Sequence, residues 1–117
     1  MMELAKITRY YIACGYTDLR RGIDGLACIV QQQYKAELDE ESLFLFCGRR
    51  TDRLKALYWC GDGYLLLYKR LTNGRFQWPR SQAELRSLDQ QSFRWLMEGL
   101  DPEQPKAIRK VKKRELY

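Results

Sequence analysis

The chain has 117 residues, 45% hydrophobic and 13% aromatic, which suits one domain with enough apolar surface to build a core. It carries 21 Lys and Arg against 15 Asp and Glu, a net charge of +6, and no histidine. That composition excludes a chain disordered over most of its length. The missing histidine excludes Ser-His-Asp and Cys-His catalysis, imidazole acid–base work and every histidine-containing metal site.

Residues 7–13, Ile-Thr-Arg-Tyr-Tyr-Ile-Ala, are rich in β-branched and aromatic types and predict a strand. After the break at Cys14-Gly15-Tyr16, Thr17-Asp18 predicts a helix cap, with Asp18 at the positive end of the helix dipole. Leu19, Ile23, Leu26, Ala27, Val30 and Tyr34 recur at helical spacing, so a long helix is expected, ending near 33–36. Gly22 and Gly25 weaken it and predict close backbone packing on a sheet. Residues 37–41 form an acidic connector, and Leu43 to Cys47 is a short apolar run expected to be a strand buried on both faces.

Gly48-Arg49-Arg50-Thr51-Asp52-Arg53 predicts a basic turn, with strands over 54–60 and 64–71 and a third over 75–78. Asp62-Gly63 and Asn73-Gly74 have the residues of tight two-residue turns, so the three strands are expected as an antiparallel meander. In that register Trp59 opposes Leu66, Leu57 opposes Tyr68, and Lys55 opposes Arg70. Alternation then puts Lys55, Arg70 and Gln77 on one face, with Tyr58, Cys60, Leu65, Leu67, Leu71, Phe76 and Trp78 on the core face. Leu57, Trp59, Leu66 and Tyr68 form an apolar patch that another element or another molecule must cover. Pro79 ends the third strand. Ser81-Gln82-Ala83-Glu84 has the capping-box pattern and predicts a short helix to about Ser87. A second helix, capped by Asp89, buries Phe93, Leu96, Met97 and Leu100 and stops at Gly99. Residues 1–101 are expected as one α+β domain. Its antiparallel sheet of four to five strands packs against a long N-terminal helix and short C-terminal helices. Residues 102–117 are expected as a flexible basic tail.

Cys14, Cys28, Cys47 and Cys60 show no C-x-x-C spacing, and each is expected as a buried free thiol. No signal-peptide pattern opens the chain and no apolar run approaches the ~20 residues of a membrane span, so a cytoplasmic protein with no membrane contact is expected. The charge is uneven. Residues 49–80 hold 8 basic and 2 acidic side chains, whereas residues 1–48 hold 5 basic and 7 acidic. A basic block interleaved with aromatics is the footprint of a polyanion partner, against the plainer reading of a solvated strand edge. Arg49, Arg50 and Arg53 are the expected phosphate contacts, extended by Lys55, Lys69, Arg70, Arg75 and Arg80. Trp78 is expected in the core. Asp52 can neutralise Arg49 or Arg53, and Arg20 and Arg21 can pair with Asp18 or Asp24. No glycine-rich phosphate loop or carboxylate cluster is present, so neither an enzyme nor a cofactor is expected.

Several blocks carry a more specific likeness. Thr17-Asp18-Leu19-Arg20-Arg21-Gly22-Ile23-Asp24-Gly25-Leu26 is the first. Phe44-Leu45-Phe46-Cys47-Gly48-Arg49-Arg50-Thr51-Asp52-Arg53-Leu54-Lys55 is the second, and Leu57-Tyr58-Trp59 with Gly61-Asp62-Gly63-Tyr64, Tyr68-Lys69-Arg70-Leu71, Gly74-Arg75-Phe76 and Trp78-Pro79 the third. Phe93-Arg94-Trp95-Leu96-Met97-Glu98-Gly99-Leu100-Asp101 closes the series. In this order, over roughly residues 10–101, the chain resembles the small TnpB accessory proteins of insertion sequences of the IS-sixty-six type. The resemblance implies a role in transposition beside a separate acidic-triad transposase that performs strand transfer. It supplies no catalytic or binding residues. Two functions follow as expectations: a non-catalytic, DNA-associated factor acting through the basic surface, or a module that docks on the transposase or self-associates through Leu57, Trp59, Leu66 and Tyr68.

Overall fold

A computed structural model describes residues 2–80 and 83–104. A 3₁₀ turn, Met2–Lys6, leads into β1, Arg9–Ala13. α1, Ile23–Cys28, continues as a π-helical turn, Ile29–Gln33. Then follow β2, Ser42–Phe46, β3, Arg53–Trp59, β4, Tyr64–Arg70, β5, Leu85–Leu88, and α2, Gln90–Met97. The five strands form one mixed sheet in the order β4-β3-β2-β1-β5. β1 and β2 run parallel, which overturns the expected antiparallel sheet, and every other pair is antiparallel. Parallel neighbours need a crossover, and the segment holding α1 supplies it.

The sheet is covered on both faces, which is why β2 in its centre is buried at every position. On one face Phe44, Phe46 and Leu57 meet Leu26, Ala27 and Val30 of the helix. On the other, Ile12, Leu45, Ala56 and Tyr58 meet Phe76, Trp78 and Leu96. α2 begins and ends as expected. The Asp89 carboxylate accepts from the Ser92 N–H at 2.7 Å. Gly99, at φ +79°, closes the helix with Gly99 N–H to Leu96 O and Leu100 N–H to Trp95 O, the paired bonds of a Schellman motif. Leu100 itself is exposed rather than part of the buried stripe.

Several expectations are overturned. The long N-terminal helix is absent: the helical stretch covers only 23–33. Asp18 does not cap it. Its carboxylate instead accepts from the Arg20 N–H at 3.0 Å, while Thr17 N–H donates to Cys47 O at 2.9 Å, so residues 17–20 are spent on a turn tied to the end of β2. Gly22 is the cap residue with open space beside it, and Gly25 faces the Arg21 side chain, so neither is a close contact with the sheet.

The three-strand meander is a two-strand hairpin. Cys60 N–H donates to Gly63 O, and Gly61 takes φ +94°, so the central pair is Gly61-Asp62 with glycine first, the type II′ pattern. Trp59 therefore opposes Tyr64, Leu57 opposes Leu66, Lys55 opposes Tyr68 and Arg53 opposes Arg70. The shift from the expected register is two residues, an even number, so every side chain keeps its face. Past β4, Gly74 at φ +84° turns the chain away. Phe76 N–H bonds Thr51 O, and Trp78 Nε1–H bonds Ala13 O at 3.0 Å. Burying Phe76 and Trp78 beneath the sheet outweighs a third ladder, and the chain crosses to the far edge.

There Leu85–Leu88 pairs with β1 where a short helix was expected, because β1 otherwise presents an unpaired edge. Ser81 and Gln82 of the expected capping box lie outside the described residues. Packing continues through Pro102, which is buried, and Glu103, 3.2 Å from Arg86. Residues 105–117 of the expected tail lie outside the described residues.

A candidate nucleic-acid interface at one end of the sheet

The carboxyl ends of β1, β2 and β4 and the start of β3 lie at one end of the sheet. Their loops are bonded to one another. Gly15 N–H donates to Pro79 O, and Leu71 N–H donates to Asp52 O. Gly48 sits close in this weave: a Cβ there would lie 3.3 Å from Thr17 O, a tight contact. Arg80 is the clamp. Its Nη1 donates to Gly15 O at 2.5 Å and its Nη2 to Gly48 O at 2.6 Å, joining the loops that follow the two parallel strands. Its guanidinium also lies 4.1 Å from the centroid of the Tyr16 ring.

The loops and the face of the β3–β4 hairpin enclose an open groove of about 930 Å³. Arg20, Arg49, Arg50, Arg53 and Lys55 line it together with Tyr16, Leu66 and Tyr68, and Asp18 is the one carboxylate in the lining. Asp18 is bound by Arg20 at 2.8 Å, and the hydrogen bonds from Arg20 lower its pKa to about 2. Asp52 lies alongside, 3.0 Å from Arg53 and 3.5 Å from Arg50, and the bond from Arg53 holds its pKa below the ordinary value. Lys55 extends across the groove to donate to Arg21 O at 3.0 Å. Arg49 makes no ion pair among the described residues and rests 5.4 Å from the Tyr16 centroid.

The basic residues singled out in the sequence thus divide. Arg49, Arg50, Arg53 and Lys55 converge in the groove. Arg75 shares a smaller adjoining hollow with Arg49 and Arg50. Arg70 is exposed on the groove face of the hairpin, and Lys69 is exposed on the other face. Arg80 is half-buried and committed to carbonyls. Asp52 engages Arg53 and Arg50 rather than Arg49.

Leu57, Trp59, Leu66 and Tyr68 do not form one exposed patch. Leu57 is fully buried against the helix, and Leu66 is half-buried beside it. Trp59, at the opposite end of the sheet, packs edge-on to Tyr64 and borders a hollow lined by Asp39, Glu40 and Glu41. Tyr68 alone of the four is well exposed, at 53%. The groove aromatic that sequence reasoning missed is Tyr16, 63% exposed. Its placement in a glycine-flanked break was the available signal. Cys14 and Cys47 are buried, and burial raises both thiol pKa values. Cys60 is intermediate and Cys28 is exposed, against expectation.

No helix of the described residues is long and apolar enough to cross a membrane. No solved structure matches the chain. Two curated proteins of Sinorhizobium fredii are similar along most of their length. The uncharacterized protein y4hO is 34% identical over 105 residues, covering 90% of this chain and 91% of that protein. The uncharacterized protein y4jC is 34% identical over 93 residues, covering 80% of each. The profile of the family described as "IS66 Orf2 like protein" matches residues 8–107, which takes in every strand, both helices and the whole basic groove. The chain therefore belongs to the IS66 Orf2-like family, the TnpB accessory proteins of IS66-type insertion sequences.

Proposed function

We propose that this chain is a non-catalytic accessory factor of its insertion sequence that binds DNA through the basic end of the sheet and assists a separate transposase. The observation that carries the reading is the convergence of Arg20, Arg49, Arg50, Arg53 and Lys55 on one groove whose lining holds a single carboxylate. Such a surface attracts a phosphate backbone and releases its counterions. Arg70, Arg75 and Lys69 extend the positive field past the rim, and Arg80 contributes by holding the loops in place. Asp18 and Asp52 are each engaged by arginines of the same surface, Asp18 by Arg20 and Asp52 by Arg53 and Arg50.

The test is binding of the purified protein to duplexes of element-end and of random sequence over a range of salt. Contacts to about five phosphates give a log–log salt slope of about −4 to −5. Arg49→Ala, Arg50→Ala and Arg53→Ala combined should cut the slope by about 3 and weaken both duplexes alike, since phosphate contacts carry no sequence. Binding that ignores salt, or is unmoved by the triple substitution, refutes the reading and leaves docking on the transposase or on a second copy as the working function.

A further inference from the structure

Among the described residues three large hydrophobic side chains are strongly exposed, and two of them, Tyr16 and Tyr68, line the same basic groove. A duplex offers such a groove phosphates and base edges, while its base faces are stacked on one another and give an exposed ring no partner. An unpaired strand offers both phosphates and free base faces, and a positive groove set with aromatic rings is the surface that suits it. Tyr68 stands on β4 opposite Lys55. Tyr16 is backed by Arg80, itself fixed by the Gly15 and Gly48 carbonyls.

We infer that the ligand of this groove is single-stranded DNA, with Tyr68 and Tyr16 as stacking platforms for bases and Arg49, Arg50 and Lys55 on the phosphates between them. The inference rests on reading the groove as a DNA site and deepens it. Arg49 links the two functions: its contact to the Tyr16 ring, at 5.4 Å, is loose enough for a base to replace, and among the described residues no carboxylate holds the guanidinium back from a phosphate.

Fluorescence anisotropy with a dye-labelled 20-nucleotide single strand and the duplex of the same sequence, using the full chain at fixed salt, tests it. The single strand should bind more tightly. Tyr68→Ala should weaken single-strand binding roughly 5- to 100-fold and duplex binding less than about twofold. Tyr68→Phe, which keeps the ring, should restore wild-type binding. Tyr16→Ala, on a different element, should reproduce the selective loss, so a folding defect in one variant does not decide the matter. A duplex bound as tightly as the single strand, or tyrosine variants that weaken both equally, overturns the inference and leaves the DNA reading standing. No binding of either oligonucleotide at low salt overturns both.

Discussion

Replacing Arg80 by alanine removes two bonds from a guanidinium to main-chain carbonyls, at 2.5 Å to Gly15 and 2.6 Å to Gly48, and uncovers one side of the Tyr16 ring. Hydrogen bonds to a charged group contribute about 1.5–3 kcal/mol each, so the ceiling for the pair is about 6 kcal/mol. The side chain is half-buried and water can reach part of the vacated space, which lowers the expected loss to about 2–3 kcal/mol. At this chain length that is a fall in melting temperature of about 10 °C. Urea unfolding followed by tryptophan fluorescence reads it directly, because Trp78 is buried and bonded to Ala13 beside the clamp. Arg80→Lys keeps the charge but not the fork that spans two carbonyls, and should recover about half. Arg49→Ala, at an exposed residue with no ion pair among the described residues, should stay within about 0.5 kcal/mol of the wild type. If Arg80→Ala proves as mild as Arg49→Ala, the clamp does not hold the loops, and Arg80 returns to the set of surface cations.

Leu57→Ala should destabilise the fold by about 2–5 kcal/mol in the same urea experiment, because the side chain is fully buried; a neutral result would put Leu57 on a surface instead. Acid should weaken the protein in a defined window. The folded pKa of Asp18 is about 2 against an ordinary 3.8, so its contribution is complete above about pH 5 and disappears as pH falls toward 2. Melting temperature plotted against pH should be flatter for Asp18→Asn across that window, and an unchanged slope would deny the Arg20 pairing a role in solution. Iodoacetamide at pH 8 followed by mass spectrometry should label Cys28 first, with Cys14 and Cys47 protected until the chain unfolds; early labelling of Cys47 would contradict its burial.

Local signals were legible wherever one segment decides its own structure. The β-branched run of β1, the doubly apolar run of β2, the alternation of β3 and β4, and the cap and stop of α2 all appear where pattern and turn chemistry place them. The faces of the hairpin survived a two-residue error in register because side chains alternate with period two. The basic residues of the 49–55 block were readable as a cluster because they are neighbours in the chain.

Composition, then, determined a basic chain without histidine chemistry, and periodicity determined most of its strands and its last helix. Only the tertiary structure decided that β1 and β2 run parallel, since no local pattern records which strands become neighbours. It also decided that residues 71–80 cross beneath the sheet, because burying Phe76 and Trp78 far from their neighbours in sequence outweighs a local hairpin. The groove is decided at the same level. Tyr16, Arg49, Tyr68 and Arg80 come from four separate segments, and they meet because the loops at one end of the sheet are bonded to one another there.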